Sequence, residues 1–135
     1  MNLKQNDSKN PKIAKYGCYM LSLFFIAEKE TGRTYFLNDI EQMYYVFLKK
    51  KFIAENCYIL RADLILKYLT GKNWKVEKSL EIKNCDYIIA NVKTKYNTYH
   101  FIVVDKEKKI LYDSDRILGG TFEYVFIDYR LFTKI

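Results

Sequence analysis

Residues 16–27 read YGCYMLSLFFIA, and this stretch organises the rest of the chain around it. From Cys18 onward it is apolar on nearly every face of a helix, and it gives way to charged residues and a Thr31-Gly32 stop. A helix that is apolar nearly all round belongs at the centre of a fold. Gly17, directly before it, allows the backbone to turn in closely. The stretch therefore predicts a buried central helix that begins near Cys18.

Two further helices are predicted in the first half of the chain. Apolar residues at helical spacing fill residues 38–50, for which Asn38 is a suitable N-cap. A second stripe at residues 61–69 is followed by Gly71, a residue that commonly ends a helix. Residues 1–15 are polar and contain the Asn10-Pro11 breaker, so we interpret them as an extended N-terminal arm.

The second half of the chain changes to the period of β-strands. Runs rich in β-forming residues lie at residues 74–77, 87–92, 99–104, 110–112 and 122–127. Turn sequences rather than helices separate these runs, which favours an antiparallel sheet. Helices first and strands second predict an α+β fold, with N-terminal helices packed on an antiparallel sheet. No repeat or linker divides the sequence, so we interpret residues 1–135 as a single domain.

The composition limits the classes of function. Half of the 135 residues are hydrophobic, which is enough for one core without a disulfide or a metal. The net charge of +7 comes mostly from lysine, which lacks the planar fork with which arginine reads phosphates and bases. A solvated lysine-rich surface is therefore favoured over a specific nucleic-acid partner, and a basic nucleic-acid binder is kept as the weaker alternative.

The three cysteines, Cys18, Cys57 and Cys85, are odd in number and widely spaced, which indicates neither a disulfide framework nor a zinc site. Residues 1–15 hold no apolar leader, and the apolar run at residues 18–27 is too short to cross a bilayer. We therefore expect a cytoplasmic protein with reduced thiols, no membrane span and no cofactor. Cys57 and Cys85 have no histidine or carboxylate motif beside them, so we interpret both as structural.

A cysteine, a histidine and an aspartate form the constellation that could carry chemistry. Cys18 falls in the first turn of the central helix, where free N–H groups and the helix dipole favour a thiolate. His100 is the only histidine and lies in the apolar run YHFIVV. The next run ends in Asp113-Ser114-Asp115, so a tight turn would bring Asp113 or Asp115 beside His100 on the neighbouring strand.

Each of these residues also has a structural alternative. A free cysteine in a core helix usually only packs, a strand histidine can be a satisfied core residue, and Asp-Ser-Asp is an ordinary turn sequence. The order of cysteine on a helix, histidine on a strand and aspartate after the next strand favours the functional interpretation. Residues around this pair could line a substrate cleft or pack at its rim, namely Tyr16, Gly17, Tyr19 and Tyr99.

Three short motifs carry a resemblance to a known superfamily. YGC at residues 16–18 before an apolar helix, HFIVV at residues 100–104 and ILYD at residues 110–113 resemble the papain-like cysteine peptidases. The most similar branch is the compact bacterial one, which includes bacteriocin-processing peptidase domains and related phage hydrolases. The chain also resembles an uncharacterised family of plasmid- and prophage-borne spirochaete proteins. The resemblance implies a papain-like fold.

The resemblance also implies a role for each residue of the site. Cys18 would be the nucleophile and His100 the general base and then the general acid. Asp113 would orient the imidazole, with Asp115 as the alternative for this role. Gln5, the only glutamine before Cys18, would supply the side-chain amide that helps to hold the oxyanion.

The function predicted on this basis is a thiol hydrolase, either a cysteine peptidase or an amidase. It would cleave an amide bond in a peptide, or in the peptide part of the cell wall, through a Cys-His-Asp triad. The alternative is a catalytically inactive papain-like module of a mobile element, which would bind a partner and not turn it over.

Overall fold

The computed structural model describes residues 1–115 and 123–135. A 3-10 helix at Gln5–Asp7 precedes the α-helices α1 (Pro11–Tyr16), α2 (Cys18–Thr31), α3 (Leu37–Lys49) and α4 (Ala62–Thr70). The strands are β1 (Trp74–Ser79), β2 (Tyr87–Lys93), β3 (Tyr99–Val104), β4 (Ile110–Tyr112) and β5 (Val125–Lys134). The predicted α+β class is confirmed. Within the described residues, none of the helices is both long enough and apolar enough to cross a membrane.

Helix α2 lies at the centre of the fold, as the sequence predicts. Residues 20–27 are all buried, and Gly32 ends the helix in the left-handed conformation with φ 73°. Gly17 is its N-cap, at the close junction between α1 and α2. A Cβ atom at position 17 would lie 2.6 Å from the Ile13 carbonyl oxygen. Only glycine fits this junction, and the junction fixes Cys18 as the first residue of α2.

The five strands form one antiparallel sheet in the order β1-β5-β2-β3-β4. The turn between β3 and β4 is held by Asp105, whose Oδ1 accepts the N–H groups of Glu107 and Lys109, both at 2.9 Å. This tight turn returns the chain along β3, so that the residues after β4 reach the beginning of β3. It thereby brings Asp113 beside His100.

Both faces of the sheet are buried. One face contributes residues such as Ile89, Val103 and Phe132 to the core that contains α2. The other face carries a second apolar cluster, and none of its seven members is more than 4% exposed. Apolar residues on both faces explain why β2 and β3 read as continuous apolar runs rather than as an alternation.

The extended arm expected for residues 1–15 is wrong. This segment contains the 3-10 helix and most of α1, and Ile13 is fully buried in the core. The Asn10 side chain accepts the N–H groups of Lys12 and Ile13 and so caps α1. Pro11 suits the first helical position, where its missing N–H group is not needed. The Asn-Pro pair therefore starts a helix.

Two predicted boundaries also differ from the structure. Helix α3 begins at Leu37, and its N-cap is Phe36 rather than Asn38, because the Asp39 carboxylate accepts the Phe36 N–H group at 2.9 Å. Strand β5 continues well past the predicted residues 122–127, because it pairs with β1 on one side and with β2 on the other. Residue 122 lies outside the described residues.

Candidate active site

Cys18 is a free, partly buried cysteine at the first position of α2. No side chain caps this end of the helix. Because Cys18 and Tyr19 are the first two residues of α2, their backbone N–H groups have no acceptor within this helix. The thiol therefore lies beside free N–H donors at the positive end of a buried helix, which is an environment that favours negative charge.

His100 lies near the beginning of β3 and forms a buried pair with Asp113. The imidazole Nε2 is 2.7 Å from Asp113 Oδ1, and the two side chains are 5% and 1% exposed. The same carboxylate accepts a hydrogen bond from the Tyr124 hydroxyl through Oδ2. With both of its oxygens engaged, Asp113 fixes the orientation of the imidazole ring.

Asp115 lies on the opposite edge of the imidazole. Its Oδ2 is 3.5 Å from His100 Nδ1, and its side chain is 46% exposed. The Asp115 N–H group donates to Asp113 Oδ1 at 2.9 Å. The structure therefore brings both aspartates to His100, with Asp113 closer and buried and Asp115 more distant and half-exposed.

The Cys18 side chain lies close enough to His100 to raise the pKa of the imidazole. Because Nε2 is paired with Asp113, Nδ1 is the imidazole nitrogen that is left for a further partner, and Asp115 Oδ2 lies 3.5 Å from it. Burial by itself lowers the pKa of His100, but the hydrogen bonds to Asp113 and Cys18 outweigh it and raise the pKa to about 10. His100 is consequently an imidazolium at neutral pH, with a donor on each ring nitrogen.

Asp113 shows the complementary shift. Burial raises the pKa of its carboxyl, but the hydrogen bonds from His100 and Tyr124 lower it by more than burial raises it. The pKa of Asp113 is therefore below its ordinary value. A buried carboxylate that stays ionised stabilises the imidazolium beside it. The charges of the pair therefore support each other.

Gln5 lies against the turn that carries the two aspartates. The Gln5 N–H group donates to the Ser114 carbonyl, and the Ser114 hydroxyl donates to Gln5 Oε1, both at 2.9 Å. The Tyr112 hydroxyl donates to the Leu3 carbonyl at 2.6 Å and holds the same segment against β4. The Gln5 side chain thus accepts a hydrogen bond through Oε1. Its amide nitrogen forms no hydrogen bond with a described residue and can donate to a ligand.

Cys18 opens onto a cleft of about 790 Å³. Three of the predicted cleft residues, Tyr16, Tyr19 and Tyr99, line it together with Trp74 and Phe101. A volume of this size lies within the range of about 300–1,000 Å³ typical of ligand sites. The fourth predicted residue, Gly17, is buried in the junction between α1 and α2 and is not among the residues that line this cleft.

The other two cysteines differ from Cys18 in their surroundings. Cys57 is buried, and burial raises the pKa of its thiol to about 12. Burial also raises the pKa of Cys85, which is partly exposed. In residues 1–115 and 123–135, no group of three or more histidine, cysteine or acidic side chains could hold a metal ion.

Comparison with known proteins gives one match. Residues 1–133 match the family described as "Protein of unknown function, DUF261". The chain belongs to this family. No curated protein and no solved structure matches it.

Two residues that contact the candidate site, Tyr124 and Ser114, are not predicted from the sequence. Tyr124 binds Asp113 from a segment that no motif marks, because a tyrosine before a strand looks like ordinary packing. Ser114 is hidden inside Asp-Ser-Asp, which resembles any turn, yet its hydroxyl holds Gln5. A signal for Ser114 could have come from its position between two candidate acids, whereas Tyr124 gives no signal in the sequence.

Proposed function

We propose that this protein is a thiol hydrolase that cleaves amide bonds through Cys18, His100 and Asp113. The observation that carries the proposal is the position of His100, whose Nε2 is 2.7 Å from Asp113 Oδ1 and whose pKa is raised by the neighbouring Cys18 side chain. Nucleophile, base and orienting acid in this order are the parts that covalent acyl transfer requires. The papain-like assignment belongs to the same proposal and is supported by a cysteine at a helix start opposite a strand histidine.

The reaction begins from the ion pair of thiolate and imidazolium. The Cys18 sulfur attacks the carbonyl carbon, and the new S–C bond leaves a negative charge on the carbonyl oxygen. The C–N bond then breaks, while the proton on His100 Nδ1 passes to the departing amine. In the second half, water gives a proton to His100 and attacks the thioester, and the S–C bond breaks to release the acid. Asp113 keeps the imidazole in place throughout.

Two groups are assigned to the oxyanion. The backbone N–H group of Cys18 has no partner within α2, because it belongs to the first residue of this helix, and the Gln5 amide nitrogen forms no hydrogen bond with a described residue. Donors of this kind stabilise the negative charge that develops during attack. Asp115 is assigned to no chemical step, since its carboxylate is half-exposed and lies 3.5 Å from Nδ1.

The decisive experiment compares the three cysteines within one chain. Timed alkylation with iodoacetamide at pH 7, followed by peptide mapping, gives the rate at each thiol. We expect Cys18 to react at least about tenfold faster than Cys85, which is also partly exposed, and faster still than buried Cys57. The His100→Asn variant should remove this excess and leave the rates at Cys57 and Cys85 unchanged.

Equal rates at Cys18 and Cys85 in the unmodified protein would contradict the proposal and favour the binding module. The Cys18→Ala variant serves as the control for folding. Its far-ultraviolet circular dichroism spectrum should match that of the parent chain, because the Cys18 side chain is only partly buried.

A further inference from the structure

The cleft beside Cys18 is strongly cationic. Its lining contains one acidic side chain, Asp63, and that carboxylate is already paired with Arg61 at 2.9 Å. The basic side chains that line it are Lys15, Arg61, Lys75, Lys78 and Arg130. Lys15 and Lys75 form no ion pair with a described residue. A concave surface that carries an excess of one sign concentrates ligands of the opposite sign.

Arg130 forms the most enclosed part of this positive wall. Its side chain is 19% exposed, and Nη1 lies 2.6 Å from Asp128 Oδ1. Lys78 Nζ approaches the other oxygen of Asp128 at 3.9 Å. Two cations thus share one carboxylate, and Asp128 itself does not line the cleft. The wall therefore keeps a net positive charge that faces the ligand space.

Two aromatic rings in contact connect this wall to the helix that carries the nucleophile. Tyr19 follows Cys18 on α2, and its ring centroid lies 4.6 Å from that of Phe101. The Arg130 guanidinium lies over the same Phe101 ring, 5.5 Å from its centroid. The positive wall is thus one aromatic pair away from the residue that carries the thiol. A bound chain that presents an amide bond to Cys18 would pass the Arg130 side of the cleft.

An acidic peptide fits these observations better than a nucleic acid does. The cations border a concave cleft whose lining also contains several aromatic side chains, and the Cys18 thiol opens onto the same space. Binding of single strands uses an extended basic groove in which successive bases stack. A peptide needs only one or two carboxylates near a scissile amide, and arginine binds a carboxylate through paired hydrogen bonds.

We propose that the cleft selects peptides that carry an acidic side chain within about two residues of the bond that Cys18 attacks. Arg130, Lys78 and Lys75 bind this carboxylate, and the aromatic wall packs along the peptide. This inference rests on the proposed function, since it names the substrate class of the same site. It concerns selectivity, which can fail while the nucleophile remains reactive.

The test uses peptide chloromethyl ketones, which alkylate a thiolate with loss of chloride. Two tripeptide probes differ only in one residue, glutamate or glutamine, placed at each position in turn in an alanine background. At low ionic strength we expect the best glutamate probe to modify Cys18 about tenfold faster than its glutamine partner. High salt should bring the two rates together, since the attraction is screened.

Exposed lysines provide the variants, because replacement of Arg130 would also remove the nearer of the two cations that pair with buried Asp128. The double variant Lys75→Glu and Lys78→Glu should lower the rate with the glutamate probe about tenfold more than the rate with the glutamine probe, so that the preference is lost. Lys109→Glu is the matched control, since Lys109 is exposed in the β3–β4 turn outside the cleft. This variant should keep the full preference.

Three outcomes would overturn the inference. Equal rates for the two probes at every position, with Cys18 still modified, would reject acidic selectivity and leave the thiol hydrolase intact. An oligonucleotide that protects Cys18 more strongly than a free acidic peptide would indicate a nucleic-acid ligand instead. If neither probe nor iodoacetamide modifies Cys18 selectively, the proposed function itself fails, and the inference fails with it.

Discussion

Two clusters of charged side chains lie on the framework of α2 and the sheet, and they differ in what they leave unused. At the end of α2, Glu30 accepts hydrogen bonds from Lys72 at 2.6 Å, Tyr87 at 2.8 Å and Lys134 at 2.9 Å. At its beginning, Cys18 meets His100 and Asp113. The first cluster joins α2 to β2, β5 and the segment before β1. The second surrounds an open cleft.

The Glu30 cluster is electrostatically complete. The hydrogen bond from Lys72 contributes most to lowering the pKa of Glu30 to about 2, against the effect of burial, and Lys134 and Tyr87 lower it further. Lys72, Tyr87 and Lys134 all donate hydrogen bonds to the Glu30 carboxylate. In the Cys18 cluster, by contrast, Cys18 lines an open cleft, so its sulfur is available to a ligand. An ion-pair cluster in which every polar atom has a partner stabilises the fold. A cluster that leaves a reactive sulfur beside an open cleft can in addition carry out chemistry.

The largest effect should come from the buried acid of the Cys18 cluster. Asp113→Asn removes the charge that stabilises the imidazolium, and we expect the alkylation rate of Cys18 at pH 7 to fall about 100-fold. Asp115→Asn is the matched control, because it changes a half-exposed carboxylate at 3.5 Å and should alter this rate less than about threefold. A larger loss from Asp115→Asn than from Asp113→Asn would reverse their assigned roles.

A smaller effect, of another kind, should follow from the Glu30 cluster. Glu30→Gln should lower the free energy of unfolding by about 1–2 kcal/mol at pH 7, since its lysine partners are half-exposed and screened. The folded pKa lies below the ordinary value of 4.5, so this contribution is lost as pH falls through about 2. Denaturant titration measures it, with Glu107→Gln in an exposed turn as the control. If Glu30→Gln also changed the alkylation rate of Cys18, the Glu30 cluster would not be purely structural, and this prediction would be contradicted.

Much of this architecture can be predicted from the sequence, because it follows from local patterns. The all-round apolar residues 18–27 predict α2, and β3 and β4 have the predicted bounds. A tight turn between two strands then requires that a residue after β4 reaches the start of β3. For this reason, the proximity of His100 and Asp113 is predictable before any coordinates.

The contacts that depend on distant segments are not predictable in this way. Gln5 meets Ser114 across more than one hundred residues, and Tyr124 reaches Asp113 from the other side. Arg130 enters the cleft wall only because β5 inserts between β1 and β2. Sequence spacing carries no information on such pairings. The choice between Asp113 and Asp115 likewise depends on burial, which only the folded chain defines.

Protonation of His100 contributes to the stability of the fold. Its folded pKa of about 10 lies above the ordinary value of 6.5. The imidazolium therefore stabilises the fold fully below pH 6.5, and this contribution is lost as pH rises through about 10. Between pH 6.5 and about 10, the free energy of unfolding of the unmodified protein should fall by up to about 1.4 kcal/mol per pH unit.

NMR titration of the imidazole tests the central claim most directly, because the chain has one histidine and its ring signals need no further assignment. The account predicts that His100 stays protonated through neutral pH and loses its proton near pH 10. Cys18→Ala and Asp113→Asn should each move this transition to lower pH. A transition near pH 6.5 in the unmodified protein, unchanged in both variants, would contradict the account.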